Sequence, residues 1–319
     1  MHVRRPLMAV TGLALAALLA GCAGDDLAED NDDPTTSGSG SGGSGEGTSV
    51  VIGSQSFDEA ALVTAMYQEV LEAEGYEVET RLVDTRPVYL NEMPDAVQIA
   101  PEYVAGIVDQ LNTDANGPDA EPLSTSDAQE TIDAGATLLE EKGITLLEPS
   151  EAFSANGYFA SQEFSDAEGV TKLSDLEGQA VTLAAAPDCK GRTDCEKGLV
   201  DTYGIDITLE PLGYASTETF QAVLDGEAQI GQTSTLDGTL EDQGLLLLED
   251  DKGIQPAQNL VPAVSSEFLA DHPDVEGTLN DLMAALDNET LGQLLVQVQI
   301  DREEPAAVAQ EFLESEGLL

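Results

Sequence analysis

The chain has no tryptophan, two histidines, three cysteines, and 11 basic residues against 62 acidic ones. Each shortage closes a class of function. A formal charge of −51 repels nucleic acid and anionic lipid headgroups, which are bound through arrays of Lys and Arg. His2 sits in the N-terminal leader and His272 stands far from the cysteines in sequence, so no four-ligand zinc set is expected. No cofactor motif is present either. There is no G-x-S-x-G elbow, and nothing singles out one carboxylate pair among 62 acids, so the chain is expected not to be an enzyme. Long apolar runs are also scarce. The one at Leu7–Ala20 is too short for a comfortable membrane span.

That run has a different use. Arg4 and Arg5 precede it, and Leu19-Ala20-Gly21-Cys22 ends it. This order of charge, apolar core, small residues and cysteine is the pattern of a bacterial lipoprotein signal. Residues 1–21 are expected to be removed, leaving Cys22 acylated and the protein anchored on the outer face of the cell membrane. Residues 22–48, rich in Gly, Ser, Asp and Glu, read as a disordered tether spanning roughly 25–30 Å. The acids elsewhere alternate with apolar residues and read as a solvated surface rather than a partner-binding tail. Outside the cell a disulfide is the natural reading of Cys189 and Cys195, closing a small loop around Arg192.

The chain beyond residue 48 is organised around Ser49–Val83. Val50–Ile52 reads as a buried strand broken by Gly53. Ser56-x-x-Glu59 has capping-box spacing, and Leu62, Met66 and Val70 form one apolar helix face. A second strand follows at Val78–Leu82. A strand feeding a helix through Gly53–Ser56 turns backbone N–H groups toward a cleft, though most such turns bind nothing. Further short strands are expected at 97–99, 144–147, 181–185, 207–209, 228–230 and 245–249, and only helices after Pro262. The sum is an α/β protein with two lobes, lobe 1 being residues 49–153 plus 259–319 and lobe 2 being 154–258. Polar residues at strand ends, Ser54, Tyr103, Asn156, Arg192, Tyr214 and Ser234, are expected to gather where the lobes face each other.

In order along the chain stand IGSQSFDEAALVTAMYQEVLEAEGYEV, APEYVAG, LSDLEGQ, PDCKGRTDCEKGLVDTYG, STLDG, LLLLEDDKGIQPAQNLVPAV and DREEPAAVAQEFLESEGLL. This set resembles the substrate-binding lipoproteins of ABC importers for osmoprotectants such as glycine betaine, choline and proline betaine. The PDC-x5-C and QPAQN forms resemble an actinobacterial branch. The resemblance implies a type II periplasmic-binding-protein fold, with two lobes, a hinge and an interlobe cleft that closes on a small compatible solute. It implies a monomer that hands the solute to an ABC permease in the membrane. Aromatic rings would hold the quaternary ammonium, which cannot donate a hydrogen bond, and an arginine the carboxylate. The ligand-contact residues it implies are Tyr103, Tyr89, Arg192, Ser54, Phe57, Asn156, Ser234 and Thr235. Thr233 and Gln258 stand where relatives often carry tyrosines. The alternatives are a lipid-anchored ligand sensor or a binder of a different polar solute.

Overall fold

The computed structural model describes residues 45–319, so the expected signal, Cys22 and most of the tether lie outside the described residues. The tether is expected to reach residue 48, yet residues 45–48 are packed. The Gly45 N–H donates to the Glu74 carbonyl and the Glu77 N–H to the Thr48 carbonyl, which staples this segment beside Tyr76.

Strands β1 (Ser49–Gln55), β2 (Glu77–Val83) and β3 (Ile99–Tyr103) are each followed by a helix, α1 (Asp58–Ala73), α2 (Arg86–Leu90) and α3 (Val104–Asn116), and α4 (Ala128–Lys142) then leads into β4 (Ile144–Leu146). The chain then builds a second sheet from β5 (Asn156–Ser161), β6 (Ala180–Ala185), β7 (Asp206–Pro211), β8 (Ile230–Ser234) and β9 (Leu245–Leu248). Helices α5 (Gln162–Glu168), α6 (Glu196–Asp201) and α7 (Thr217–Leu224) lie between these strands in the chain. It returns through β10 (Leu260–Ser265) and ends in α8 (Ser266–Asp271), α9 (Asp274–Ala284), α10 (Asn288–Gln299) and α11 (Pro305–Glu316).

The sheet orders are β2-β1-β3-β10-β4 and β7-β6-β8-β5-β9. In each, four strands run in one direction, and the strand that crosses between halves, β10 in one and β5 in the other, is antiparallel to both its neighbours. This is the two-lobed type II periplasmic-binding fold. The two crossings touch at one antiparallel bridge, Phe153 to Asn259, beside a Ser154 N–H bond to the Gln258 carbonyl.

Several local expectations need correction. β1 runs through Gly53 to Gln55 instead of breaking there. The glycine serves a close approach: a Cβ on it would lie 2.7 Å from the Tyr89 Cβ and 2.9 Å from Val97. No capping box forms at Ser56. Phe57, whose side chain has no acceptor, is the N-cap of α1, and the Glu59 carboxylate is engaged by other partners. Asp127 caps α4 by accepting from the Glu130 N–H at 2.8 Å. β5 is a strand outside the expected set. β10 occupies a central position despite Pro262, which lies opposite Pro101 of β3. Neither proline can donate, so this position must be a non-hydrogen-bonded pair of the ladder, where prolines do no damage.

The expected apolar face of α1 is present. Leu62 and Met66 are wholly buried against the first sheet, α9 and α11. Truncating such a residue to alanine costs about 2–5 kcal/mol. A second core around Leu173, Leu183, Leu199, Tyr203 and Ile230 supports the other sheet.

Candidate functional site

The C-terminal ends of β1 and β3 put Phe57, Glu59 and Tyr103 on one wall. Tyr103 closes β3 and is the N-cap of α3, so its ring leaves the sheet edge. It stacks on Phe57 with ring centres 6.5 Å apart and planes 22° apart. Phe57 stays 43% exposed. The Tyr103 hydroxyl donates to Glu59 Oε1 at 2.6 Å, and the Ser154 hydroxyl, from the crossing, donates to Oε2 at 2.9 Å. Burial raises the Glu59 carboxyl above its ordinary value, against the pull of these two hydrogen bonds. Burial raises the Tyr103 hydroxyl as well, and the Glu59 charge adds to it, so Tyr103 is a donor at any physiological pH.

Behind this wall lies a second, drier layer. Glu102 is fully buried in β3. Its carboxylate accepts Arg86 Nε at 2.9 and 3.0 Å, the Tyr89 hydroxyl at 2.5 Å and the Tyr103 N–H at 3.1 Å. A buried charge satisfied this fully is tolerated. Burial alone would lower the Arg86 guanidinium, but Glu102 holds it above its ordinary value. Tyr89, expected at the ligand, is 2% exposed with its hydroxyl committed to Glu102, so it braces the wall from behind. Ser54 is also buried, and its Oγ has no hydrogen-bond partner among the described residues.

The opposite wall is built from Asn156 at the start of β5, Ser234 at the end of β8, the 189–195 loop and the turn after β7. A cavity of about 310 Å³ is bordered by Ser154, Asn156, Arg192, Tyr214, Gln255 and Gln258. Cys189 and Cys195 are joined, with sulfurs 2.05 Å apart. The loop is pinned further by Tyr158 Oη and Gln255 Nε2, which donate to the Asp194 carbonyl at 2.8 and 2.7 Å. Arg192 reaches the cavity, but its fork is occupied. Nε and Nη2 grip Asp194 at 2.9 and 2.5 Å, and Nη1 reaches Asp188 at 3.2 Å. The hydrogen bonds to Asp194 raise the guanidinium above its ordinary value. Asn156 Nδ2 donates to the same Asp194 at 3.0 Å.

Tyr214, expected where the lobes face each other, is the aromatic group of this wall. It is 46% exposed, and the next residue, Ala215, takes a left-handed φ of 44°. That conformation costs a non-glycine residue about 1–2 kcal/mol. Partial burial raises the Tyr214 hydroxyl, and the nearby charges of Asp237 and Glu59 add to this. Thr235 is engaged elsewhere. Its hydroxyl donates to the Phe153 carbonyl and accepts the Ala155 N–H at 3.0 Å, so it fastens a crossing. Thr233, at an expected ring position, gives its hydroxyl to Asp237 at 2.6 Å.

The sequence therefore brings Phe57, Tyr103, Asn156, Arg192 and Ser234 to the two facing walls, and puts Tyr89, Ser54 and Thr235 in supporting positions. It passes over Glu59, which capping spacing explains away, and Asp194, whose place two residues after Arg192 is the only clue to their pairing. Among the described residues no group of three or more His, Cys, Asp or Glu could hold a metal ion.

The family described as the substrate binding domain of ABC-type glycine betaine transport systems matches residues 48–315. A glycine-betaine-binding protein of Pseudomonas aeruginosa is 25% identical over 288 residues, covering 84% of this chain and 88% of its own. The glycine betaine-binding protein YehZ of Escherichia coli is 24% identical over 286 residues, covering 84% of this chain and 90% of its own. The structure of apo YehZ superposes with a TM-score of 0.72 at 23% identity, over 85% of this chain and 99% of that one.

Proposed function

Because the chain belongs to that family of substrate-binding domains, the extracytoplasmic solute receptors of ABC importers and not enzymes, we propose that the solute it captures is a small quaternary ammonium compound such as choline or glycine betaine. One observation carries the reading: the buried Glu59, hydrogen-bonded to Tyr103 of the Phe57–Tyr103 ring pair, lines one cavity together with the exposed ring of Tyr214. Aromatic faces and an adjacent carboxylate attract a trimethylammonium group, which needs no hydrogen-bond acceptor. Asn156, Ser234 and Arg192 would meet the polar end of the solute. The lobes would be residues 49–153 with 259–319, and 154–258, closing about the Phe153–Asn259 bridge.

We further propose that Cys22 is acylated and that the receptor works as a monomer tethered beside its permease. The PDC-x5-C and QPAQN forms support a place in an actinobacterial branch. Calorimetric titration with choline, glycine betaine, proline betaine and carnitine tests the solute assignment. One solute per chain is expected, with affinity lost in Tyr103→Ala and Tyr214→Ala. Absence of heat with every compound, or undiminished binding in both variants, would remove the assignment.

A further inference from the structure

The cleft does not end at Tyr214. A second cavity of about 380 Å³ opens on its other side and shares Tyr214 and Ser234 with the first. Two carboxylates, Glu59 and Asp237, stand at its polar end. The rest of its wall is mainly apolar, with Phe220 and Leu236 from one side and Leu295, Val296 and Ile300 of the α10 region from the other, interrupted by Thr233, Thr239 and Gln299. The two sides meet at backbone contact. A Cβ on Gly238 would lie 2.5 Å from the Gly292 carbonyl oxygen, and Asn288 Nδ2 donates to the Thr235 carbonyl at 3.1 Å. This floor is a contact between the turn after β8 and α10 beside the crossing at Phe153, to which Asn288 also bonds. Ile300 is left 61% exposed at the rim.

Either cavity alone reaches the lower size of sites that enclose drug-sized molecules, about 300 Å³. A cation held between Tyr214 and Glu59 stands at the mouth of the second one. We infer that this chamber takes an apolar arm on the cationic solute, so that the protein binds quaternary ammonium compounds bearing an alkyl chain more tightly than their bare trimethyl counterparts. The inference rests on the reading of the cleft as a quaternary ammonium site. Continuity through Tyr214 and Ser234 places the head and arm in one ligand, and the Glu59 and Asp237 charges match a cationic head.

The test is a calorimetric series of tetramethylammonium, ethyl-, butyl- and hexyl-trimethylammonium, with choline as reference, on the intact chain. Affinity is expected to rise roughly fourfold for each methylene that enters the apolar wall. The ratio of hexyl to tetramethyl affinity is expected to collapse toward one in Val296→Asn and Ile300→Ser, which remove apolar wall without adding charge. Affinity that stays within about twofold along the wild-type series, while choline still binds, overturns the apolar chamber and leaves the head-group reading intact. A wild-type gain that persists in both variants overturns the placement of the arm on α10. No binding of any compound, choline included, overturns both readings together.

Discussion

The two walls of the cleft hold their polar groups in opposite ways. On the first, Glu102 is fully buried and takes four hydrogen bonds from Arg86, Tyr89 and the Tyr103 backbone, and Glu59 is fixed by two hydroxyls. On the second, Arg192 and its partners are partly open to solvent, with the arginine 41% and Asp188 74% exposed. The first wall is therefore a rigid template, set before any solute arrives. The second can exchange partners at small cost, as a surface that must close on and release a ligand requires.

The sharpest way to break this contrast is to remove one charge from each wall. Arg86→Ala leaves Glu102 buried without its counter-charge and should cost about 3–5 kcal/mol in chemical denaturation. Asp188→Ala should cost no more than about 1 kcal/mol in the same assay. Similar losses at the two sites would erase the distinction. Next in size is Tyr214→Ala, expected to weaken choline binding by about 2 kcal/mol, the value of a desolvated cation–π contact, while Tyr214→Phe retains it. Calorimetry reads both.

Asp194→Asn sharpens the comparison from the second wall. With one of its carboxylates gone, Arg192 can turn to a ligand carboxylate. Glycine betaine should then gain about 1 kcal/mol relative to choline in paired titrations.

The smallest effect concerns pH. The folded state raises the Glu59 carboxyl above its ordinary 4.5, so it holds a proton at pH values where the unfolded chain has lost it. Stability contributed by that proton therefore appears as pH falls through the raised value and fades as pH climbs back through it. Relative to Glu59→Gln, the wild type should gain stability on acidification toward 4.5. Over the same window its affinity for a cation should drop by about 1 kcal/mol or less, and the variant should show no such drop. Melting and titration across that range check both halves.

The contrast also explains what sequence could show. Apolar periodicity exposes α1, and the glycine after α4 marks its end, because local chemistry decides both. β10 stays hidden because Pro262 argues against a central strand until Pro101 is known to face it. Motif resemblance singles out Tyr103 and Arg192, and the structure places both at strand or loop ends bordering the candidate site. Glu59 is not singled out, since Ser56-x-x-Glu59 has an adequate local explanation and only the fold brings Tyr103 and Ser154 to it. For Tyr89 the resemblance points to a ligand ring, while the hydrogen bond that engages its hydroxyl depends on Glu102 thirteen residues on, which only the fold brings to it.

A crystal structure of the intact protein grown with choline tests the central claim most directly. The account predicts the trimethylammonium group within about 6 Å of the ring centres of Tyr214 and of Phe57 or Tyr103, with the two sheets drawn together around it. Choline bound away from these rings, or a complex in which Tyr214 stays open to solvent, would contradict it.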